Sequence, residues 1–318
     1  MLNWHPYDAH DWANSDQEPM NPAEKDGFEQ LAVAILKMSR AEAGASWGTV
    51  QPPGRNACVI RIHDGVRHQF ARNKNPLGLK IFNLVDGKTM WPSVSRFHNT
   101  QRKNLPGLPN GRVQAVWHCA TIKPAGGGER GYLIQAWVEG EVLEHKFKAG
   151  LSAHETLRLL DDLFLELIIP LWAAGSSWWD VRASNYVVTP AGRLMMIDSD
   201  TLGGYADEIV GTPAKFVRRN KGTLTALKRY RTIVRKLAVA GLKRQGVRQT
   251  GWIGTQVDDR FIAQLQPVFA RPYPLVPGWR QQATRAYHHF RAACQQLLSA
   301  PAAAPAATGS SGSAKNSK

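Results

Sequence analysis

Asp180, Asn185 and Asp198 stand five and then thirteen residues apart, and the residues between them indicate how they could meet. Tyr186-Val187-Val188 and Leu194-Met195-Met196 are apolar triplets on either side of Thr189-Pro190-Ala191-Gly192, a turn-forming run. The pattern predicts a short hairpin that brings Asn185 and Asp198 together at the mouth of one cleft. A carboxylate that orients a hydroxyl, with an amide oxygen and a second carboxylate to hold Mg²⁺, is the set phosphoryl transfer needs. Asp and Asn are also common turn residues at strand ends, and spacing alone leaves that reading standing.

The elements that must position these residues can be read on both sides of them. Upstream, His154 to Ala174 carries Leu157, Leu160, Leu163, Phe164, Leu167, Ile168 and Leu171 at helical spacing, with Gly175 as its cap. Further upstream the pattern is strand-like: residues 57–62, a His63-Asp64-Gly65 turn into 66–72, a turn at 73–76, then Leu77 to Phe82. Residues 93–105 read as helical, and 112–122 with 131–138 as a further hairpin around the glycines at 126–128. Pro22 to Ala43 reads as an amphipathic helix. After Thr201 the chain turns helical again over 224–241 and 281–298.

Composition bounds the possibilities. With 43% hydrophobic and 20% charged residues over 318 positions, the chain has the make-up of a globular protein large enough for two lobes. Three cysteines (Cys58, Cys119, Cys294) lie far apart with no metal-ligand spacing, which points away from a disulfide framework or zinc and toward a reducing cytoplasm. No signal-peptide pattern opens the sequence, and the longest apolar run, 163–174, contains Glu166 and Pro170, so no membrane span is expected. Residues 1–21 and the Ala-Pro and Gly-Ser-Lys-rich 300–318 read as disordered ends.

Taken together, the catalytic-looking segment and the strands before it resemble the protein-kinase-like superfamily over roughly residues 57–210. The resemblance implies an α+β fold of two lobes, an antiparallel β N-lobe over 22–138 and a mainly helical C-lobe over 139–299, with ATP between them. It implies Asp180 as catalytic base and Arg182 as a cation facing the transferred phosphate, although Arg182 would serve equally as a surface arginine. Asn185 and Asp198 would bind Mg²⁺. Asp200, in an Asp-Ser-Asp triplet, would add a metal carboxylate or cap its loop. Lys80 takes the place of the third-strand lysine that pairs with nucleotide phosphates, with Arg72 as fallback, while Gly65 and Val66 stand where the phosphate-covering loop belongs. The small-residue stretch Ala43 to Val50 lies too far upstream of Lys80 for that task. Gln135 takes the gatekeeper place, and the backbone of Ala136, Trp137 and Val138 would hold adenine. The sequence departs from the family's pattern in three ways. No glutamate lies between Asp86 and Glu129 to partner Lys80, Trp178-Trp179 replaces His-Arg before the base, and no Ala-Pro-Glu motif follows Asp198.

Net charge is +15, and it is uneven. Residues 151–208 hold 3 basic and 9 acidic residues, whereas 209–318 hold 19 and 2, with no acid at all from Ile209 to Val257. Residues 215–248 could therefore contact a polyanion, or form the solvated face of a helix whose Leu227, Tyr230, Val234 and Leu237 turn inward. Three functions fit: an ATP- and Mg²⁺-dependent kinase acting on protein Ser/Thr, a kinase of a small hydroxylated molecule (the aminoglycoside type), or an inactive kinase-like scaffold for nucleic acid or acidic partners.

Overall fold

β-Branched and aromatic residues in short alternating runs build a five-stranded antiparallel sheet from the first half of the chain. The structure, a computed structural model, describes positions 23, 26, 27, 30, 32 and 33, then residues 48–50, 57–64, 76–82, 84–85, 88–89, 112–114, 116–122, 130–173, 176–178, 181–198, 202–204, 213–243, 251–271 and 276–299. Asp180, Asp200, Gly65, Val66 and Arg72 lie outside them, as do the expectations made for 1–21, 66–72, 93–105 and 300–318. The six described positions between 23 and 33 are all helical, in keeping with the expected leading helix.

The strands are β1 (Gly48–Val50), β2 (Ala57–Ile62), β3 (Leu77–Phe82), the small pair β4 (Leu84–Val85) and β5 (Lys88–Thr89), β6 (Val116–Ile122) and β7 (Arg130–Ala136). The main sheet runs in the order β1-β2-β3-β7-β6. The central strand β3 is buried along its whole length. The β6–β7 hairpin appears as the sequence pattern predicts, but Arg112 to Gln114 leaves that sheet and pairs elsewhere. The His63-Asp64-Gly65 turn lies partly outside the described residues, since Gly65 and the strand expected over 66–72 are not among them. Asp64 has helical backbone, and at Ile60 and Arg61 both edges of β2 are filled, by β1 on one side and β3 on the other. One of those two partners of β2 is Gly48–Val50, part of the stretch set aside as a phosphate-covering loop.

A helical body follows. It comprises α1 (Leu143–Ala149), α2 (Ala153–Asp161), a π-helical stretch Asp162–Ile168, α3 (Ile169–Ala173), α4 (Pro213–Lys243), α5 (Gly251–Arg260), a π-helical turn Phe261–Leu265, α6 (Gln266–Phe269) and α7 (Trp279–Ser299). Ser152 and Glu155 cap α2 reciprocally, the Ser152 hydroxyl accepting from the Glu155 N–H at 3.1 Å and the Glu155 carboxylate accepting from the Ser152 N–H at 2.8 Å. The helix expected over 154–174 is helical through its described residues, but its middle widens to π geometry just before Pro170. Proline has no N–H, and its ring crowds the carbonyl one turn back; a wider turn accommodates both. Helix α4 begins at Pro213, eleven residues before the expected start at Leu224, with proline at the position where its missing donor costs nothing.

Aromatic rings fill the centre of this body. Phe164 stacks on Tyr287 at 4.8 Å and meets Phe269 edge-on at 6.0 Å, while Trp172 meets Phe269 edge-on at 5.5 Å. The Tyr287 hydroxyl donates to Asp161 at 2.7 Å, so its polar tip is satisfied where the ring is buried. Among the described residues no helix is long and apolar enough to cross a membrane.

Residues 137–140 carry the chain from β7 into β8 (Glu141–Val142), which pairs with the hairpin strand Tyr186–Val188. Gly140 sits there at φ 142°, and a Cβ on it would lie 2.2 Å from the Val188 carbonyl oxygen and 2.8 Å from Val187 Cγ1. Both the backbone angle and the close approach demand glycine. Gly140→Ala should therefore destabilise the protein by more than about 2 kcal/mol in urea unfolding. A change below about 0.5 kcal/mol would show that the crossing does not press on the hairpin.

Candidate functional site

The hairpin at the chemistry-bearing segment forms as its sequence implies. Strands β10 (Tyr186–Val188) and β11 (Leu194–Met196) pair antiparallel, Tyr186 opposite Met196. The turn is closed by Gly192 N–H donating to the Thr189 carbonyl (2.7 Å), with Gly192 at φ 74°. At the open end the Ile197 N–H donates to the Asn185 carbonyl at 2.9 Å, so Asn185 and Asp198 lie on adjoining backbone. Asn185 is buried at the end of a single 3₁₀ turn, Ala183–Asn185, and the Ser184 hydroxyl lies 3.4 Å from its Oδ1. Burial pushes the phenol of Tyr186, the next residue, well above its ordinary pKa range, and a hydrogen bond with Tyr230 of α4 adds to the shift. That contact pins the start of β10 to the helical body.

The flanks of the segment also meet. Strands β9 (Ser176–Trp178) and β12 (Leu202–Gly204) pair antiparallel with Trp178 opposite Leu202. Asp180 follows Trp178 by two residues and Asp200 precedes Leu202 by two, so one ladder tethers the chain on both sides of the segment.

Lys80 reaches this site from the main sheet. Two-residue periodicity puts Gly78, Lys80 and Phe82 on one face of β3. The Lys80 ammonium lies 5.0 Å from the Phe82 ring centroid and forms an ion pair with the Asp198 carboxylate. Lys80 is buried and Asp198 is 38% exposed, so the carboxylate also faces solvent. Asp198 has φ 58°, which makes it the one non-glycine residue with positive φ among those described. Aspartate tolerates this left-handed conformation better than most residues, and such strain persists where surrounding contacts hold it. The departure noted in the sequence, a lysine with no helix glutamate, thus has a structural answer: Asp198 supplies a carboxylate.

Two residues that the sequence did not flag complete the junction. Gln114 spans it, its amide donating to the Ala136 carbonyl at 2.7 Å and its oxygen accepting from the Asp198 N–H at 3.4 Å. Its own N–H donates to the Met196 carbonyl at 2.8 Å, and Val113 bridges Met196 in parallel. Beside it Arg112 pairs with Asp162 of the π-helical stretch, through Nη1–Oδ2 and Nη2–Oδ1, each 3.1 Å, and Asp162 also accepts from the Leu194 N–H at 2.7 Å. An acid inside the apolar run 159–168 is the sequence signal for such a buried pair. Gln114 carries no local signal at all.

The remaining expected residues fall as follows. Gln135 is buried opposite Gly78. Ala136 ends β7 with its carbonyl accepting from Gln114, and the Trp137 N–H donates to the Pro76 carbonyl at 2.8 Å, so these two hinge groups already have protein partners. Val138 is half-buried beyond them, and Arg182 is exposed at the start of the 3₁₀ turn. Among the described residues no three His, Cys, Asp or Glu side chains converge. Asn185 and Asp198 nevertheless offer hard oxygen donors, the type Mg²⁺ takes in small numbers beside phosphate oxygens and water. No protein-family model matches the chain, and no curated protein matches it.

The pair of Lys80 and Asp198 makes an asymmetric prediction. Asp198→Asn keeps tolerance of the left-handed backbone but leaves a buried ammonium without this carboxylate, at an expected cost of about 1–3 kcal/mol, lessened by Asp198's exposure. Lys80→Met keeps the stem packed on Phe82 and should cost less than about 1 kcal/mol, and it should rescue most of the loss when combined with Asp198→Asn. Urea unfolding of the full cycle reads this directly. Additive losses would mean the pair is not coupled.

Proposed function

We propose that the chain is an ATP- and Mg²⁺-dependent phosphotransferase of the two-lobed protein-kinase-like kind, transferring the γ-phosphate to a Ser or Thr hydroxyl of a protein. One observation carries the reading. A buried lysine from the central strand of an antiparallel sheet meets the carboxylate that follows a hairpin, and Asn185, which precedes that hairpin, stands at the same open end. A lysine from one part of the chain and an amide and carboxylate from another, far along it, would not be collected in this way by turn chemistry alone.

In this mechanism Lys80 would bind the nucleotide phosphates, and Asp198 would be shared between Lys80 and the metal. Asn185 and Asp198 would hold Mg²⁺, with Asp200 a further oxygen donor, and the bound ion would offset the charge of the phosphates. Gly65 and Val66 would cover the phosphates, and Gln135 would border the purine. With Ala136 and Trp137 engaged as above, the adenine edge falls chiefly to Val138. Asp180 takes the proton of the acceptor hydroxyl as its oxygen bonds to the γ-phosphorus; the bond from that phosphorus to the bridging oxygen breaks and ADP leaves. Arg182 stabilises negative charge on the transferring group. Positioning and electrostatics supply the acceleration. The wide spacing of the three cysteines in the sequence supports placing the reaction in the cytoplasm.

The test is transfer of label from γ-³²P-ATP with Mg²⁺ to the protein itself or to added acidic and basic proteins. Label should appear with the wild type and fall by about 10²–10⁴-fold in Asp180→Asn and Asp198→Ala. No label, together with no Mg²⁺-dependent thermal shift by ATP, would sink this function.

A further inference from the structure

Asp198 is tied to the main sheet by two contacts of different kinds. Its carboxylate pairs with the Lys80 ammonium of β3, and its backbone N–H donates to Gln114 Oε1 at 3.4 Å. The other half of the same amide, Nε2, donates to the carbonyl of Ala136, the last residue of β7, at 2.7 Å. A backbone carbonyl only accepts and an N–H only donates, so a single side chain meets both when its tip carries a donor and an acceptor together. Glutamine does. Glutamate would set an acceptor against the carbonyl, and lysine a donor against the N–H. The two partners also fix which way round the amide sits. Gln114 is buried, and its own N–H donates to the Met196 carbonyl at 2.8 Å, so the side chain starts from an anchored point beside Asp198.

The two contacts respond differently to a cation. A divalent ion at the Asp198 carboxylate shares that group with the Lys80 ammonium, and the two positive charges repel. The bond from the backbone N–H to Gln114 uses no carboxylate lone pair and takes no part in that competition. Asp198 sits at φ 58°, a conformation that surrounding contacts must hold, and Gln114 keeps its hold on the backbone there with or without a cation. We infer that Gln114 is a positioning residue for the metal: by holding the Asp198 backbone against the end of β7, it sets the carboxylate for Mg²⁺ and joins the strand that borders the purine to the metal carboxylate. The inference rests on the phosphotransfer reading for the identity of both ligands, and Gln114 acts through Asp198.

The test is binding of a fluorescent N-methylanthraniloyl ATP to the full chain, titrated once in Mg²⁺ and once in EDTA. The quantity read is the ratio of the two affinities, which loss of folded protein leaves unmoved. The wild type should bind about tenfold or more tightly in Mg²⁺ than in EDTA. Gln114→Met keeps the bulk and loses both hydrogen bonds; it should weaken binding about tenfold in Mg²⁺ and less than about twofold in EDTA. Gln114→Asn, whose amide is one methylene short of spanning both partners, should repeat that result and serves where the methionine variant does not fold. Arg112→Lys weakens the two-bond pair with Asp162 on the same segment, and should lower stability while keeping the ratio within about twofold of the wild type. Equal losses in the two titrations, or no loss, would overturn the role of Gln114. So would an Arg112→Lys ratio that falls as far as that of Gln114→Met, since the effect would then be loosening of the whole segment. These results leave phosphotransfer standing, because label transfer by the wild type reads it separately. A wild type that binds equally in both titrations, or in neither, removes the metal or the nucleotide itself, and the inference with it.

Discussion

A lysine placed on a strand that is buried on both faces must find negative charge, and at Lys80 that requirement joins the sheet to the hairpin. The charge comes from Asp198, 118 residues away, held in a left-handed conformation at the point where β11 ends. Nothing in the local sequence of either residue favours the arrangement. It is stable because β3 has partners on both edges and because β11 is fixed by β10, which leaves the two side chains facing one another. Attraction in a partly desolvated site is stronger than at the surface, while Asp198's remaining exposure limits what burial of the pair costs.

The junction around this pair is polar, and the cores on either side are apolar. Gln114 satisfies a carbonyl at the end of the sheet and an N–H at Asp198 with one side chain, and Arg112 and Asp162 anchor the same hairpin to the helical body. Networks of this type hold geometry more than they add stability, because each polar group must be met or its burial is penalised. Segment 112–114 is thus an accessory strand for β11 as much as a lead into β6. Asp198 donates its backbone N–H to Gln114 on one side and its carboxylate meets the Lys80 charge on another, and its orientation follows from both.

How much of this is legible in the sequence depends on the range of each interaction. The hairpin at 186–196 is specified within eleven residues, by two apolar triplets and a turn, and it forms with the expected strands. The β6–β7 pair and the inward face of α4, with Leu227, Tyr230, Val234 and Leu237 buried, were legible for the same reason. The β1–β2 ladder was not legible, because Gly48–Val50 carries no strand signal of its own and its pairing is set by residues that lie later in the chain. Burial of Lys80 shows the same limit: its strand is readable from Leu77 to Phe82, but whether a strand lysine faces solvent is decided by what covers the sheet. Gln114, with partners 22 and 84 residues away, is beyond any periodicity argument. The π-helical stretch was signalled only by Pro170, and Asp162 only as an acid among leucines.

Charge was the feature that the sequence represented least faithfully. A run without acids from 209 to 257 looks like one basic face, because linear counting cannot see Asp258. Folding returns that carboxylate to Arg231 and Arg235, one helical turn apart, and so cancels part of the apparent patch. Arg229 and Lys236 point around the helix to the turn after Asp180, where Arg182 joins them. Their seven-residue spacing keeps them on one side of α4 and away from the 231–235 pair, so the division follows from helical geometry once the neighbour of each face is known. Among the described residues the basic side chains of α4 are therefore divided between faces with different neighbours and do not form one patch. Salt screens exposed charges beyond about 8 Å, so the neighbours on each face of the helix, more than the total of +15, decide what each basic side chain meets.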